Sequence, residues 1–253
     1  DSEYFSKLLE KSNTADPNTI QKNLLKYSVL YQKYFKEFSI SYLKSFIDQQ
    51  LYLRKNSDHR ERSLACAIMF LNRETNFLDD FLNNIFNNSD NMSLKVSCLV
   101  NYLFKKNEHE NIEKFYRNYG KDKALLNKWF ALQVYYSTSR SAVERLHKLT
   151  SHKDFNMFNP NNVNSLIGTF AKKNFHAFHQ IDGRGYKVIV DWIIKLDPVN
   201  PQIAASTAKA FEQIEFLPPI YREKAKGALN TFSDSANLSK DTAEIIHKIR
   251  SFL

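Results

Sequence analysis

The sequence predicts an all-α protein, a solenoid-like, irregular superhelical array of antiparallel helix pairs. Three observations carry this. Apolar residues recur at helical spacing along nearly the whole chain. Only 5 Gly and 6 Pro occur in 253 residues, too few for a turn-rich β sandwich or barrel. No alternating apolar/polar run of useful strand length is present.

Taken in order, Ile20, Leu24, Tyr27 and Tyr31 form the first stripe, and Leu64, Ile68 and Leu71 the second. Leu78, Phe81, Leu82 and Ile85 follow, then Val96, Leu99, Val100 and Leu103, then Ile112, Phe115, Tyr116 and Tyr119. Leu125, Trp129, Leu132 and Tyr136 make the next, and Val163, Leu166, Ile167 and Phe170 the one after. Tyr186, Ile189, Val190 and Ile193 precede Ile203, Thr207, Phe211 and Ile214, and Ile245, Ile249 and Phe252 close the series. Each stripe is expected to be the buried face of a helix of about three turns. The punctuation agrees. Asp16-Pro17, Asn159-Pro160 and Asn200-Pro201 each set a capping side chain before a proline suited to the first turn. Ser141 with Glu144 has capping-box spacing, Gly120 and Gly183 fall between stripes, and Pro218-Pro219 opens a helix. So many short helices cannot form one simple bundle. Stacked in pairs of the armadillo or HEAT kind, each covers its neighbour's apolar face. No repeat of fixed period is visible.

The bulk numbers exclude several classes. With 43% hydrophobic and 25% charged residues the chain can bury a sizeable core. No apolar run approaches the ~18 residues of a membrane span, so no membrane contact is expected. The start, Asp1-Ser2-Glu3-Tyr4, has neither the basic nor the apolar region of a signal peptide, and it lacks an initiating Met, as a fragment or processed chain would. Cys66 and Cys98 read as buried free thiols of a reducing compartment, with a disulfide the alternative, and the cytoplasm is the expected location. The net charge of +9 invites nucleic acid as a partner, but the lysines are scattered singly between acidic residues, as in Tyr31-Gln-Lys-Tyr-Phe-Lys-Glu37, and no run of five like charges exists. A solvated surface is expected, with no nucleic-acid partner.

No catalytic constellation is legible. None of the seven histidines stands in His-Glu-x-x-His, the helical pair with a general base that a zinc peptidase uses. His176-Ala-Phe-His179 has the spacing for one helix face but no third ligand, and a packing or capping role is expected for it. Gly183-Arg184-Gly185 is half a dinucleotide fingerprint with no preceding strand, hence a turn. No metal or cofactor is expected in this chain.

A family resemblance adds what residue chemistry does not. Asp90-Asn-Met-Ser93, Leu125-Leu-Asn-Lys-Trp-Phe-Ala-Leu-Gln133, Asn159-Pro-Asn161, Ser165-Leu-Ile-Gly168, Phe178-His179, Asp182-Gly-Arg-Gly-Tyr186, Asn200-Pro-Gln202 and Leu238-Ser239 stand in an order and spacing that resemble the C-terminal helical domain of the bacterial aminopeptidase N family. The match is strong over 91–253 and weaker over 16–90, where Arg60-Glu-Arg-Ser-Leu64 resembles a family segment; residues 1–15 read as a linker from a preceding domain. The resemblance implies a parent enzyme that removes N-terminal residues from short peptides with one zinc, held in a catalytic domain absent here. This domain would be non-catalytic, capping the active site and restricting access, with the catalytic and N-terminal domains of the same polypeptide and a short peptide as its partners. It also implies chamber-lining roles for Asn162, Asn164, Gln202 and Ser206. Where the family commonly has arginine this chain has Asn162, Asn164 and Ser206, so the electrostatic grip on a peptide carboxylate is expected to be weakened, and helix capping or a solvated first turn is the alternative role for these residues. The alternative is a free-standing helical scaffold that binds a peptide or protein.

Overall fold

Pro17 can open the first helix because Asp16 takes two of its early donors: the carboxylate accepts from the Thr19 amide at 3.2 Å and from the Thr19 hydroxyl at 2.8 Å. No Gly or Pro interrupts the next thirty-odd residues, so helix α1 runs from Pro17 to Asp48. The computed structural model describes residues 16–53, 59–73, 75–104, 109–232 and 238–253, and among these only helices and turns occur. The expected linker 1–15 lies outside the described residues. The fold class is all-α, as the periodicity required.

The described chain divides into two units, Lys22–Lys121 and Asp122–Leu253, the latter joined by the residues up to Gln21. The first contains most of α1, α2 (His59–Leu71), a 3₁₀ turn Asn76–Leu78 leading into α3 (Asp79–Asn88), α4 (Met92–Leu103) and α5 (His109–Tyr119). Helix α4 is central, packing on α2, α3 and α5. It starts at Asn91, whose side chain accepts from the Ser93 and Leu94 amides, and it buries Leu94, Cys98, Leu99 and Tyr102. Ile68, Met69, Leu82, Ile85 and Phe115 complete this core. Both cysteines are free; Cys98 is buried and Cys66 half-buried, and burial pushes both thiols up, which suits inert packing groups.

One expectation fails here. Tyr27 does not lie on a core face but is 71% exposed, and Tyr31 is only half-buried, while Ser39, Leu43 and Phe46 carry the burial of α1. Helical spacing identifies a face but not which of two apolar faces is covered. Leu64 is also largely exposed, one turn before buried Ile68.

The second unit runs through α6 (Lys123–Tyr135), α7 (Ala142–Thr150), α8 (Pro160–Val163), a π-helical turn Asn164–Gly168, α9 (Thr169–Lys173), α10 (Phe175–Phe178), α11 (Arg184–Leu196), α12 (Pro201–Ala208) with a 3₁₀ continuation Lys209–Phe216, α13 (Pro219–Leu229) with a 3₁₀ end Asn230–Phe232, and α14 (Lys240–Ser251). Asn159 and Asn200 cap as their position before proline required, accepting from the Asn161 and Ile203 amides. The capping box does not form. Ser141 makes no cap bond and faces the Thr138 hydroxyl at 3.0 Å, while Glu144 turns away to pair with Arg184 at 3.0 Å. A long-range cation outcompetes a local amide.

The two glycines of the half-fingerprint serve two separate ends. Gly183 has φ 77°, the left-handed region, as the residue that starts α11. Gly185 lets α11 lie on the backbone of α10: an added Cβ would sit 2.2 Å from the Phe178 carbonyl oxygen and 2.6 Å from that of Ala177. Behind this contact Phe178 meets Tyr186 and Phe211 edge-on, at centroid distances of 5.2 and 5.1 Å. His179 is enclosed there, its Nδ1 sharing a 2.9 Å hydrogen bond with the Tyr186 hydroxyl, so the packing role expected of it is the one it has. Tyr221 donates to the Asp16 carboxylate at 3.2 Å, fastening the start of α1 to α13. At the end of α11, buried Asp197 accepts from the Ser239 amide at 2.7 Å, the Ser239 hydroxyl at 2.6 Å and the Thr242 hydroxyl, and so ties down the start of α14.

Candidate functional site

The four residues singled out in the sequence lie in the second unit, on two neighbouring stretches: α8 with its π turn, and α12. They do not share one surroundings. Asn162 is buried, its amide donating to Asn127 Oδ1 at 2.5 Å and accepting from the Asn156 amide at 3.0 Å. It locks the Asn-Pro-Asn turn onto the Leu125–Gln133 motif, and with its polar atoms engaged it has little left to offer a ligand.

Asn164 is exposed and begins the π turn, where the backbone widens from the α-helical bonding pattern. Its carbonyl accepts from the Thr169 hydroxyl at 3.4 Å, and its side chain lies along Gly168, where an added Cβ would meet Asn164 Oδ1 at 3.4 Å. Gln202 is exposed in the first turn of α12, one turn before Ser206.

Ser206 has a partner that the sequence did not suggest. Lys172, at the end of α9, donates to the Ser206 hydroxyl at 2.8 Å. Lys209 stands one turn beyond Ser206 and is felt electrostatically at Lys172. Partial burial first, and the like charge of Lys209 second, push the Lys172 ammonium below its ordinary pKa. Among the described residues no carboxylate pairs with either ammonium. Two cations, a hydroxyl and an amide therefore face one patch without a counter-anion, which can attract a carboxylate. Lys172 and Ser206 are 34 residues apart in sequence, so only the packing of α9 beside α12 reveals the pair.

Among the described residues no group of three or more His, Cys, Asp or Glu side chains gathers in the geometry of a metal centre. His179 is committed to Tyr186 and packed against Phe175 and Phe178, at 4.2 and 4.7 Å between rings. Burial holds it neutral, with its pKa pushed down to about 3, and pushes the half-buried His176 down as well. No helix among the described residues is long and apolar enough to cross a membrane.

Comparison with known proteins places this geometry in a family. A family model described as a domain of unknown function (DUF3458_C) with ARM repeats matches residues 4–251. Aminopeptidase N of Haemophilus influenzae is 32% identical over 179 residues, which is 69% of this chain and 20% of that protein. Aminopeptidase N of Escherichia coli is 29% identical over 204 residues, 79% of this chain and 23% of that protein. Among solved structures, Legionella pneumophila aminopeptidase A, crystallised in complex with aspartic acid, superposes with a TM-score of 0.81 at 20% identity, over 98% of this chain and 30% of that one. The chain thus spans about a fifth of the length of the curated relatives it matches.

Proposed function

The chain belongs to the DUF3458_C family of ARM-repeat domains, and on that premise we propose that it is the non-catalytic C-terminal domain of a zinc-dependent aminopeptidase acting in the cytoplasm. The observation that carries the reading is the partial match: relatives named aminopeptidase N resemble this chain over only a fifth or so of their own length. The catalytic zinc and its ligands would reside in the remainder. This domain's part is to cap the active site, wall the space above it and admit short peptides from their amino end.

Within that space the cationic patch has a definite task. Lys172 and Lys209, with Ser206 and Gln202 beside them, supply positive charge for the carboxylate end of a short peptide, while Asn164 offers only a neutral amide. An ammonium partly withdrawn from water binds a carboxylate more firmly than a fully hydrated one does. Asn162 supports the patch from behind by holding the turn in place.

The test uses the longer polypeptide encoded by the gene. It is expected to contain His-Glu-x-x-His ahead of this region and to hydrolyse aminoacyl-anilides in a chelator-sensitive way, whereas the 253-residue chain alone shows no turnover. A longer polypeptide without that motif and without aminopeptidase activity would overturn the reading.

A further inference from the structure

Helix α1 (Pro17–Asp48) has two apolar faces, and its own unit covers only one. Ser39, Leu43 and Phe46 are buried. Tyr27, Leu30, Tyr34 and Phe38, spaced three, four and four residues apart, fall on a different stripe and are 71, 48, 69 and 52% exposed. Phe35, half exposed, and Tyr31, stacked on it at 5.1 Å between rings, flank the stripe, and Phe38 leads on to Tyr42 at 6.2 Å.

At 150–250 Å² per aromatic side chain, these exposures leave roughly 500 Å² of contiguous apolar surface on one helix. That is at the upper end of what a soluble monomer leaves bare, and it approaches the ~800 Å² that one partner contributes to a specific interface. Lys26 and Lys33 flank the stripe, with Glu37 the one acid on that side, and the Lys33 ammonium lies 5.2 Å from the Tyr34 ring centre. A partner would therefore meet an apolar centre with a basic margin.

We propose that the Tyr27–Leu30–Tyr34–Phe38 face of α1 is the docking surface for the catalytic portion of the same polypeptide, which meets it with an apolar patch edged by acidic residues. This rests on the aminopeptidase reading above. The length of the relatives argues for that occupant: four fifths of each is polypeptide this chain does not contain, and the same fold occupies only 30% of the solved Legionella enzyme. A tethered partner is present at high effective concentration, so a patch of this area suffices to hold it.

Hydroxyl-radical footprinting tests this without any substitution, because a ring is modified only where water reaches it. Tyr27, Tyr34 and Phe38 are to be followed in the 253-residue chain and in the full-length protein, with buried Tyr186 as the slow reference. Modification of all three is expected to fall at least about fivefold in the full-length protein. A companion variant, Tyr34→Glu with Phe38→Glu, should leave the melting of the 253-residue chain unchanged and speed thermal inactivation of the full-length enzyme about tenfold. Equal modification rates in both proteins overturn the proposal. So does slow modification of the 253-residue chain that accelerates on dilution, which assigns the face to a second copy. Protection that appears only with anionic phospholipid vesicles assigns it to a membrane and overturns it too. Unchanged footprints in a full-length protein that hydrolyses anilides refute the docking alone; absence of that activity refutes the function.

Discussion

At the scale of single residues, His179 and Lys172 give opposite lessons about reading chemistry from sequence. His179 was legible: a histidine directly after a Phe-rich turn is a packing group, and its ring is enclosed by Phe175, Phe178 and Tyr186. Its pKa of about 3 in the fold lies below the ordinary value near 6.5. The unfolded chain therefore binds a proton that the native chain refuses, and stability falls as pH drops from about 6.5 toward 3. The slope owed to this one proton is about 1.4 kcal/mol per pH unit. Denaturant titrations at pH 7, 6 and 5 should show it, and His179→Gln should flatten it. Lys172 was not legible, since nothing in its local sequence marks it as Ser206's partner across 34 positions. Adding a guanidinium, by Asn164→Arg or Ser206→Arg in the full-length enzyme, should strengthen the grip on a peptide carboxylate by about 1 kcal/mol, several-fold in KM. Lys172→Gln should weaken it by a similar factor. A tripeptide acid should respond and its C-terminal amide should not; equal responses would place these residues away from the substrate.

At the scale of elements, prolines and asparagines announced where helices begin, and the structure puts α1, α8 and α12 at those places. What the sequence could not rank was competition. Ser141 and Glu144 have capping-box spacing, but Glu144 bonds Arg184, forty positions away. Glycine needs were equally hidden until α10 and α11 were seen in contact. Gly185→Ala should cost about 3 kcal/mol, because the new carbon collides with two backbone carbonyls that cannot swing aside. Gly227→Ala, at an exposed position in the last turn of α13 with nothing within 4 Å, should instead stabilise by about 0.5–1 kcal/mol. Urea midpoints of the pair make a direct contrast. Asp197→Ala should cost about 3 kcal/mol and raise hydrogen exchange in the first turn of α14, since it removes the shared acceptor of Ser239 and Thr242.

At the scale of the molecule, the all-α class was secure because helical periodicity recurs at every turn of the chain. The covered and uncovered faces of α1 were not separable, since a stripe such as Tyr27, Leu30, Tyr34 and Phe38 has the same spacing whether a partner is present or absent. The +9 charge is a global number with local answers: Lys248 pairs with Glu212, Lys114 donates to Asn87, and Lys95 donates to the Phe86 carbonyl. Filter binding to DNA over a salt series should accordingly show no steep dependence; a log–log slope of several units would reveal a phosphate-binding face. The bond from Tyr221 to Asp16 bears on synthesis. Its partners are 205 residues apart, while the segment Lys22–Lys121 between them forms a unit of its own. On a ribosome adding about 5–20 residues per second, roughly 10–40 seconds separate the emergence of Asp16 from that of Tyr221. The inner segment has emerged well before then, so the bond that fastens the first turn of α1 must wait for α13 while Lys22–Lys121 need not.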